Sequence, residues 1–375
     1  MISKTSVFLL LISIPFFALF FPCHCECDVR SVKDGNGVRG MFVFGSSLVD
    51  NGNNNFLKNS LAKADYLPYG IDFPSGPSGR FTNGKNVIDL LTEQLKLPSL
   101  IPPFSHPATK GNKITHGVNF ASGASGILDD TGLIVGNITS LNQQIKNFEE
   151  VTLAQLEKEM KCKGKDLVAN YLFVVGSGGN DYSFNYFLKR SNRSSASLQA
   201  FTSNLTLSLS QQLKKLYNLG ARKFVLMSIN PLGCSPVMLA FQPERHGCIQ
   251  GLNQAAELFN TQLRLLISSI KMEMPGSNLV MVNSYKIIRD IIQNPQSKGF
   301  KDASSPCCEV VPRSQGGDGI LCKKGGQICG DRNAHVFFDG LHPTEAVNVE
   351  IATKAFASYR ATEVYPINVH QLAKL

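Results

Sequence analysis

Five short apolar runs, residues 41–44, 115–120, 171–175, 223–229 and 279–282, constrain the fold of this chain more than any other feature. A strand with one wet face alternates apolar and polar residues, whereas one buried on both faces of a parallel sheet reads as a nearly continuous run. Segments of helical period lie between these runs. Leu205, Leu209, Leu213 and Leu216 share one face, with Gly220 as a stop signal. Leu252, Ala256, Phe259, Leu263, Leu266 and Ile270 mark a second helix, which ends before Pro275 and Gly276. This alternation predicts an α/β chain with a three-layer α/β/α arrangement around a parallel central sheet. With 375 residues, 43% of them hydrophobic, the chain can bury one large core. No Pro/Ser-rich or charged tract divides it and no internal repeat is visible, so residues 26–375 are expected to form one domain.

The amino terminus is expected to lie outside that domain. Lys4 precedes an apolar stretch over residues 7–21, and Pro22, Cys23 and Cys25 follow as a cleavage region. The stretch is short for a bilayer span of about 20 residues. Residues 1–25 therefore read as a secretory signal, and the mature protein as secreted and extracellular with no stable membrane span. Cleavage after Cys25 leaves Cys27, Cys162, Cys234, Cys248, Cys307, Cys308, Cys322 and Cys329, an even set suited to disulfides. No C-x-x-C pair and no histidine at ligand spacing accompany them, so no metal site is expected. Asn137, Asn192 and Asn204 begin glycosylation sequons. The formal charge of +9 is spread thinly, without a basic run or interleaved aromatics. That pattern argues against nucleic acid as a partner and is compatible with association with an acidic cell wall.

Ligands of open parallel sheets bind beyond the carboxyl ends of the strands. There the first run meets Gly45, Ser46 and Ser47, the second FASGASG at 120–126, and the third GSGGND at 176–181. Glycines let backbone N–H groups come close to a reacting atom, as an oxyanion hole requires. Two turn-rich stretches break the strand–helix rhythm. Residues 65–86, dense in Pro and Gly, are expected to form a structured surface loop, and residues 306–330 a disulfide-held excursion.

A serine nucleophile needs a base. Among the histidines, His335 lies four residues after Asp331 and His342 three residues after Asp339, in FFDGLHPTE. The second pair is better built. Gly340 gives the turn conformational freedom, Pro343 fixes the backbone after the ring, and the carboxylate can receive Nδ1–H while Nε2 accepts a proton. Local logic leaves either Ser46 or Ser47 as nucleophile. The G-x-S-x-G elbow of another hydrolase fold is not met, because Val49 occupies its last position.

MFVFGSSLVDNGNNN, GVNFASGASGIL, VGSGGNDY and FFDGLHPTEAVN together resemble the four blocks of plant GDSL esterase/lipases, a branch of the SGNH hydrolases. The likeness runs from about residue 40 to residue 365, and PYGIDFP and GRFTNG extend it. It implies a flavodoxin-like fold, Ser47 as nucleophile, and Asp339 and His342 as its acid and base. It also implies an oxyanion hole from Ser47, Gly123 and Asn180, with no cofactor. Ser46 stands where the family has Asp, which removes a charge beside the nucleophile. The implied function is serine esterase or lipase action on an ester substrate, whether lipid, cutin-like or small-molecule. The alternatives are an acyltransferase using the same residues and a secreted binding protein weakened by Ser46.

Overall fold

Strands β1 (Gly40–Gly45), β2 (Tyr171–Gly176), β3 (Lys223–Met227) and β4 (Asn278–Val282) lie side by side and parallel in the computed structural model, which describes residues 37–188, 197–241 and 247–375. The proposed signal at 1–25, Cys27 and Asn192 fall outside the described residues. All six residues of β1 and of β2 are buried, as expected of strands covered on both faces. Successive side chains point to opposite faces, and the two faces differ in kind. Phe42, Phe44, Tyr171, Phe173, Phe224 and Leu226 enter one core cluster, while Met41, Val43, Leu172, Val174, Val225 and Val280 enter another.

Helices cover both faces. The valine-rich face packs on α1 (Val87–Gln94). The aromatic face packs on α2 (Leu141–Asn147), α3 (Leu153–Met160) and α4 (Leu198–Asn218). The short α5 (Pro236–Leu239) follows, and then α6 (Gln250–Ser269), which returns to the aromatic face. The valine-rich face also receives α7 (Ser284–Gln293), α8 (Glu345–Ala357) and α9 (Val369–Lys374). The two periodic segments read from sequence are α4 and α6. Gly220 follows α4 in the left-handed region, φ 112°, and its N–H donates to the Tyr217 carbonyl at 3.0 Å.

The second apolar run departs from regular structure. Residues 115–120 lie along β1, with Val43 N–H donating to Val118 O at 3.0 Å and Phe120 N–H to Val43 O at 2.7 Å, yet they form only isolated bridges. Gly117 takes φ 108°, and Asn119 has Pro103, which lacks an N–H, on its other side. Counted as a strand, this run gives the order 2-1-3-4-5, the doubly wound pattern whose ligand crevice opens where strand order reverses, at the ends of β1 and β2.

Two small additions complete the frame. β5 (Asp302–Pro306) pairs in parallel with β6 (His335–Phe337), and β7 (Val364–Tyr365) adds to the edge of β4 in antiparallel sense. Disulfides Cys307–Cys329 and Cys308–Cys322 hold the excursion after β5, and Cys234–Cys248 closes a third loop. Cys162 is also disulfide-bonded. The sulfurs of Cys307 and Cys329 come near His335 but are bonded to each other, so they are not thiolate donors for a metal.

Residues 65–86 are a loop that is only partly at the surface: Leu67, Ile71 and Pro74 are exposed, but its aromatic anchors are not. Tyr69, Phe73, Arg80, Phe81 and Thr82 are buried. The guanidinium of Arg80 lies over Phe73 and forks onto Asp89 of α1, Nε to Oδ2 at 2.6 Å and Nη2 to Oδ1 at 2.7 Å. That pairing lets a Pro/Gly-rich segment bury its aromatics. No helix among the described residues is long and apolar enough to cross a membrane.

Gly117 supplies a test of how the 115–120 run docks. A Cβ there would sit 1.8 Å from the Met41 carbonyl oxygen, whereas at Gly111, also at positive φ, it meets open space. Gly111→Ala should cost about 1 kcal/mol from the backbone alone, and Gly117→Ala about 3 kcal/mol or more. Chemical denaturation of the two variants beside the parent checks the difference.

Candidate active site

The polar stretch after β1 turns out to be buried: Asp50, Asn51, Asn53 and Asn54 are each at most 2% exposed. Every one of these side chains satisfies backbone groups of neighbouring loops. Asn51 Nδ2 donates to Ile101 O at 2.8 Å, and Asn53 Nδ2 to Asn119 O and Ala121 O. Asn54 Nδ2 donates to Ala62 O at 2.8 Å and Gly123 O at 3.0 Å. Asp50 accepts from Gly52, Asn53 and Gly123 N–H groups at 2.7, 2.8 and 3.0 Å. Irregular loops can be buried only if their peptide groups find such partners.

At the end of β1 the Ser47 hydroxyl lies 2.8 Å from His342 Nε2. On the other side of the ring, Nδ1 lies 2.8 Å from Asp339 Oδ2 and 3.0 Å from Oδ1. Asp339 is fully buried, and its Oδ1 also accepts the Leu341 and His342 N–H groups at 2.8 and 2.7 Å. The acid thus shapes the turn that carries its own histidine. With Nδ1–H given to the carboxylate, Nε2 is left to accept a proton from Ser47. Phe81 lies against the imidazole with ring centroids 4.9 Å apart. Gly340 acts differently from the expectation of a flexible turn. Its φ is not in the left-handed region, and a Cβ would stand 2.1 Å from the Gly319 carbonyl oxygen, so close approach requires the glycine. The rival His335 places Nδ1 3.1 Å from the Asp331 backbone oxygen, not its carboxylate.

The loops after β1, the 115–120 run and β2 are bonded to one another. Ser46 N–H donates to Gly176 O at 3.0 Å, Ser125 Oγ to Gly45 O at 2.9 Å, and Asn180 Nδ2 to Ser125 O at 2.9 Å. Asn180 therefore has one amide proton engaged and one remaining to face the cleft it lines. Ser47 N–H has no acceptor among the described residues. Gly123, expected in the oxyanion hole, donates its N–H to the buried Asp50 carboxylate at 3.0 Å. Its missing side chain matters too: a Cβ would meet Phe81 Cζ at 2.7 Å. Among the described residues, the Ser46 hydroxyl reaches Gly176 O alone, at 3.5 Å. Asn137 and Asn204 are exposed.

Two buried acids outside the serine–histidine series were missed in the sequence. Burial raises Asp50 from 3.8 to about 6, against the lowering effect of its backbone donors and Arg80. Asp181 is raised to about 6 for the same reason, while it accepts from Ile127 N–H, Leu128 N–H and the Thr131 hydroxyl. Each was in view only as a letter, the D of SLVDNG and the D after Asn180 in GSGGND.

A cleft of about 980 Å³, counting its open mouth, starts at Ser47 and His342. Towards the valine-rich face it is lined by Val49, Val87, Ile288, Phe337 and Ile351, and towards the aromatic face by Ile229 and Leu232, with Ser177, Asn180 and Ser183 also in its wall.

A serine within reach of an imidazole at the carboxyl edge of a doubly wound sheet is the arrangement that serine-dependent ester hydrolases need. Known sequences narrow that class. The family described as GDSL-like Lipase/Acylhydrolase matches residues 41–355. GDSL esterase/lipase At1g29670 of Arabidopsis thaliana is 39% identical over 89% of this chain and 91% of its own length. GDSL esterase/lipase At5g08460, from the same plant, is 43% identical over 89% and 87%. GDSL esterase/lipase At1g71691, again from Arabidopsis thaliana, is 41% identical over 92% and 88%. The chain belongs to the GDSL lipase/acylhydrolase family and is a serine hydrolase of carboxylic esters.

The raised Asp50 gives a pH test. Its folded form holds a proton more firmly than the unfolded chain, so its stabilising contribution is full below pH 3.8 and lost as pH rises through about 6. The stability difference between Asp50→Asn and the parent should therefore move towards the variant by roughly 2 kcal/mol between pH 4 and 7. Denaturant titrations at several pH values check this.

Proposed function

We propose that this ester hydrolase is an exported enzyme working through a covalent acyl-enzyme on Ser47. The observation that carries the reading is the unbroken series of hydrogen bonds from Ser47 Oγ through His342 to Asp339. His342 takes the Ser47 proton as the hydroxyl oxygen attacks the ester carbonyl, and Asp339 stabilises the imidazolium. The tetrahedral oxyanion is met by Ser47 N–H and the remaining Asn180 amide proton. His342 then protonates the leaving alcohol. Water adds to the acyl-enzyme with His342 as base, releasing the acid and restoring Ser47. The apolar wall formed by Val87, Ile288, Phe337 and Ile351 suits the acyl half of the ester.

Ser46 leaves this series intact, since neither its hydroxyl nor the family's Asp at that position would take part in it. Export is supported by the apolar leader, by disulfides that form in oxidising compartments, and by two exposed sequons. One domain over residues 26–375 and contact of the basic surface with an acidic cell wall belong to the same reading.

Ser47→Ala should abolish turnover of a short p-nitrophenyl ester and labelling by a fluorophosphonate. Retained turnover would refute the assignment. Asn180→Ala should keep the label but lose about 10²–10³ in kcat, read by steady-state kinetics.

A further inference from the structure

The steps above leave Tyr69 unused, although its hydroxyl donates to Asp339 Oδ2 at 2.6 Å, the oxygen that also faces His342 Nδ1. We propose that Tyr69 is a positioning residue for ester cleavage, its hydroxyl orienting the Asp339 carboxylate towards His342. This rests on the preceding reading of Ser47, His342 and Asp339.

The direction of the Tyr69 proton is fixed by its neighbours. Cys322 N–H donates to the phenol oxygen at 3.1 Å, so the single phenol proton is free to go to Asp339. Burial first, and then the Asp339 charge, push the phenol well above its usual range, and it stays a protonated donor. The donor is also held from behind. Tyr66 donates to Cys322 O at 2.9 Å, Cys322 is bonded to Cys308, and Cys308 N–H donates to Phe338 O at 2.9 Å, one residue before Asp339. The peptide of Cys322 is thus gripped at both ends by tyrosines, in a loop anchored to the strand end that presents the acid. A hydroxyl donor at 2.6 Å to a carboxylate makes a strong, directional bond, which fixes the orientation in which Oδ2 meets His342 Nδ1. The other ionisable groups acting on this corner are Tyr66, Asp318 and Asp65, and all remain when Tyr69 changes.

Filling space is the plain alternative, because Tyr69 packs edge-on against Tyr66, Phe81 and Phe338. Phenylalanine would fill that space equally well, so Tyr69→Phe separates the two in the full-length protein. For hydrolysis of p-nitrophenyl acetate, kcat should fall about tenfold with KM nearly unchanged, the order expected for one lost hydrogen bond to a charged group. An unchanged kcat would overturn the proposal. Should that variant not fold, 4-aminophenylalanine placed at position 69 keeps the shape and a weaker donor. Then kcat should fall by less than tenfold with KM held, and a kcat equal to the parent's overturns the proposal equally. Fluorophosphonate labelling of the parent keeps the two readings apart: an unlabelled parent sinks the acyl-enzyme, while a labelled parent with an unaffected variant sinks only the role of Tyr69.

Discussion

Burying irregular backbone is the constraint on which the rest of this structure depends. The carboxyl edge of the sheet is made of loops, and loops carry peptide groups that regular ladders do not satisfy. Here the stretch from Asp50 to Asn54 meets that need with side-chain carboxylate and amides that reach Ile101, Ala62, Asn119, Ala121 and Gly123. Asn119 returns the favour by donating to Val49 O at 2.6 Å. The turn carrying Ser47 is therefore fixed by its surroundings, which allows a family position usually held by Asp to hold Ser46 without disturbing the bond to His342.

The same constraint explains what could be read in advance. Parallel strands buried on both sides announce themselves by composition, and β1 to β4 fall on the runs that suggested them. Long helices with one apolar face did likewise in α4 and α6. Short edge pieces such as β5, β6 and β7 have too few residues for any period to show. Residues 65–86 misled in part, for another reason. Their Pro and Gly content describes a loop correctly, but burial of Tyr69 and Thr82 is decided by partners some 260 to 270 residues away, Asp339 and Pro343.

The candidate site divides in the same way. Asp339 and His342 were legible because a D-x-x-H turn is local, whereas local chemistry left Ser46 and Ser47 equal and only the family resemblance pointed to Ser47. Gly123 was legible as a residue that must be small, but not in the direction of its N–H, since that depends on where the Asp50 carboxylate ends up. Tyr69 was invisible because an aromatic ring in a loop reads as packing until its hydroxyl is seen to touch an acid.

On the mechanism proposed above, the two ends of the Ser47–His342 proton path lie 295 residues apart in the chain. A ribosome delivers Ser47 early and His342 late, so a nascent chain holds the hydroxyl for most of its synthesis with no base to awaken it. The loop-closure entropy of joining such distant segments is repaid only once the intervening sheet has assembled. Esters met before that moment are safe from it, and completion of the fold itself becomes the event that switches the enzyme on.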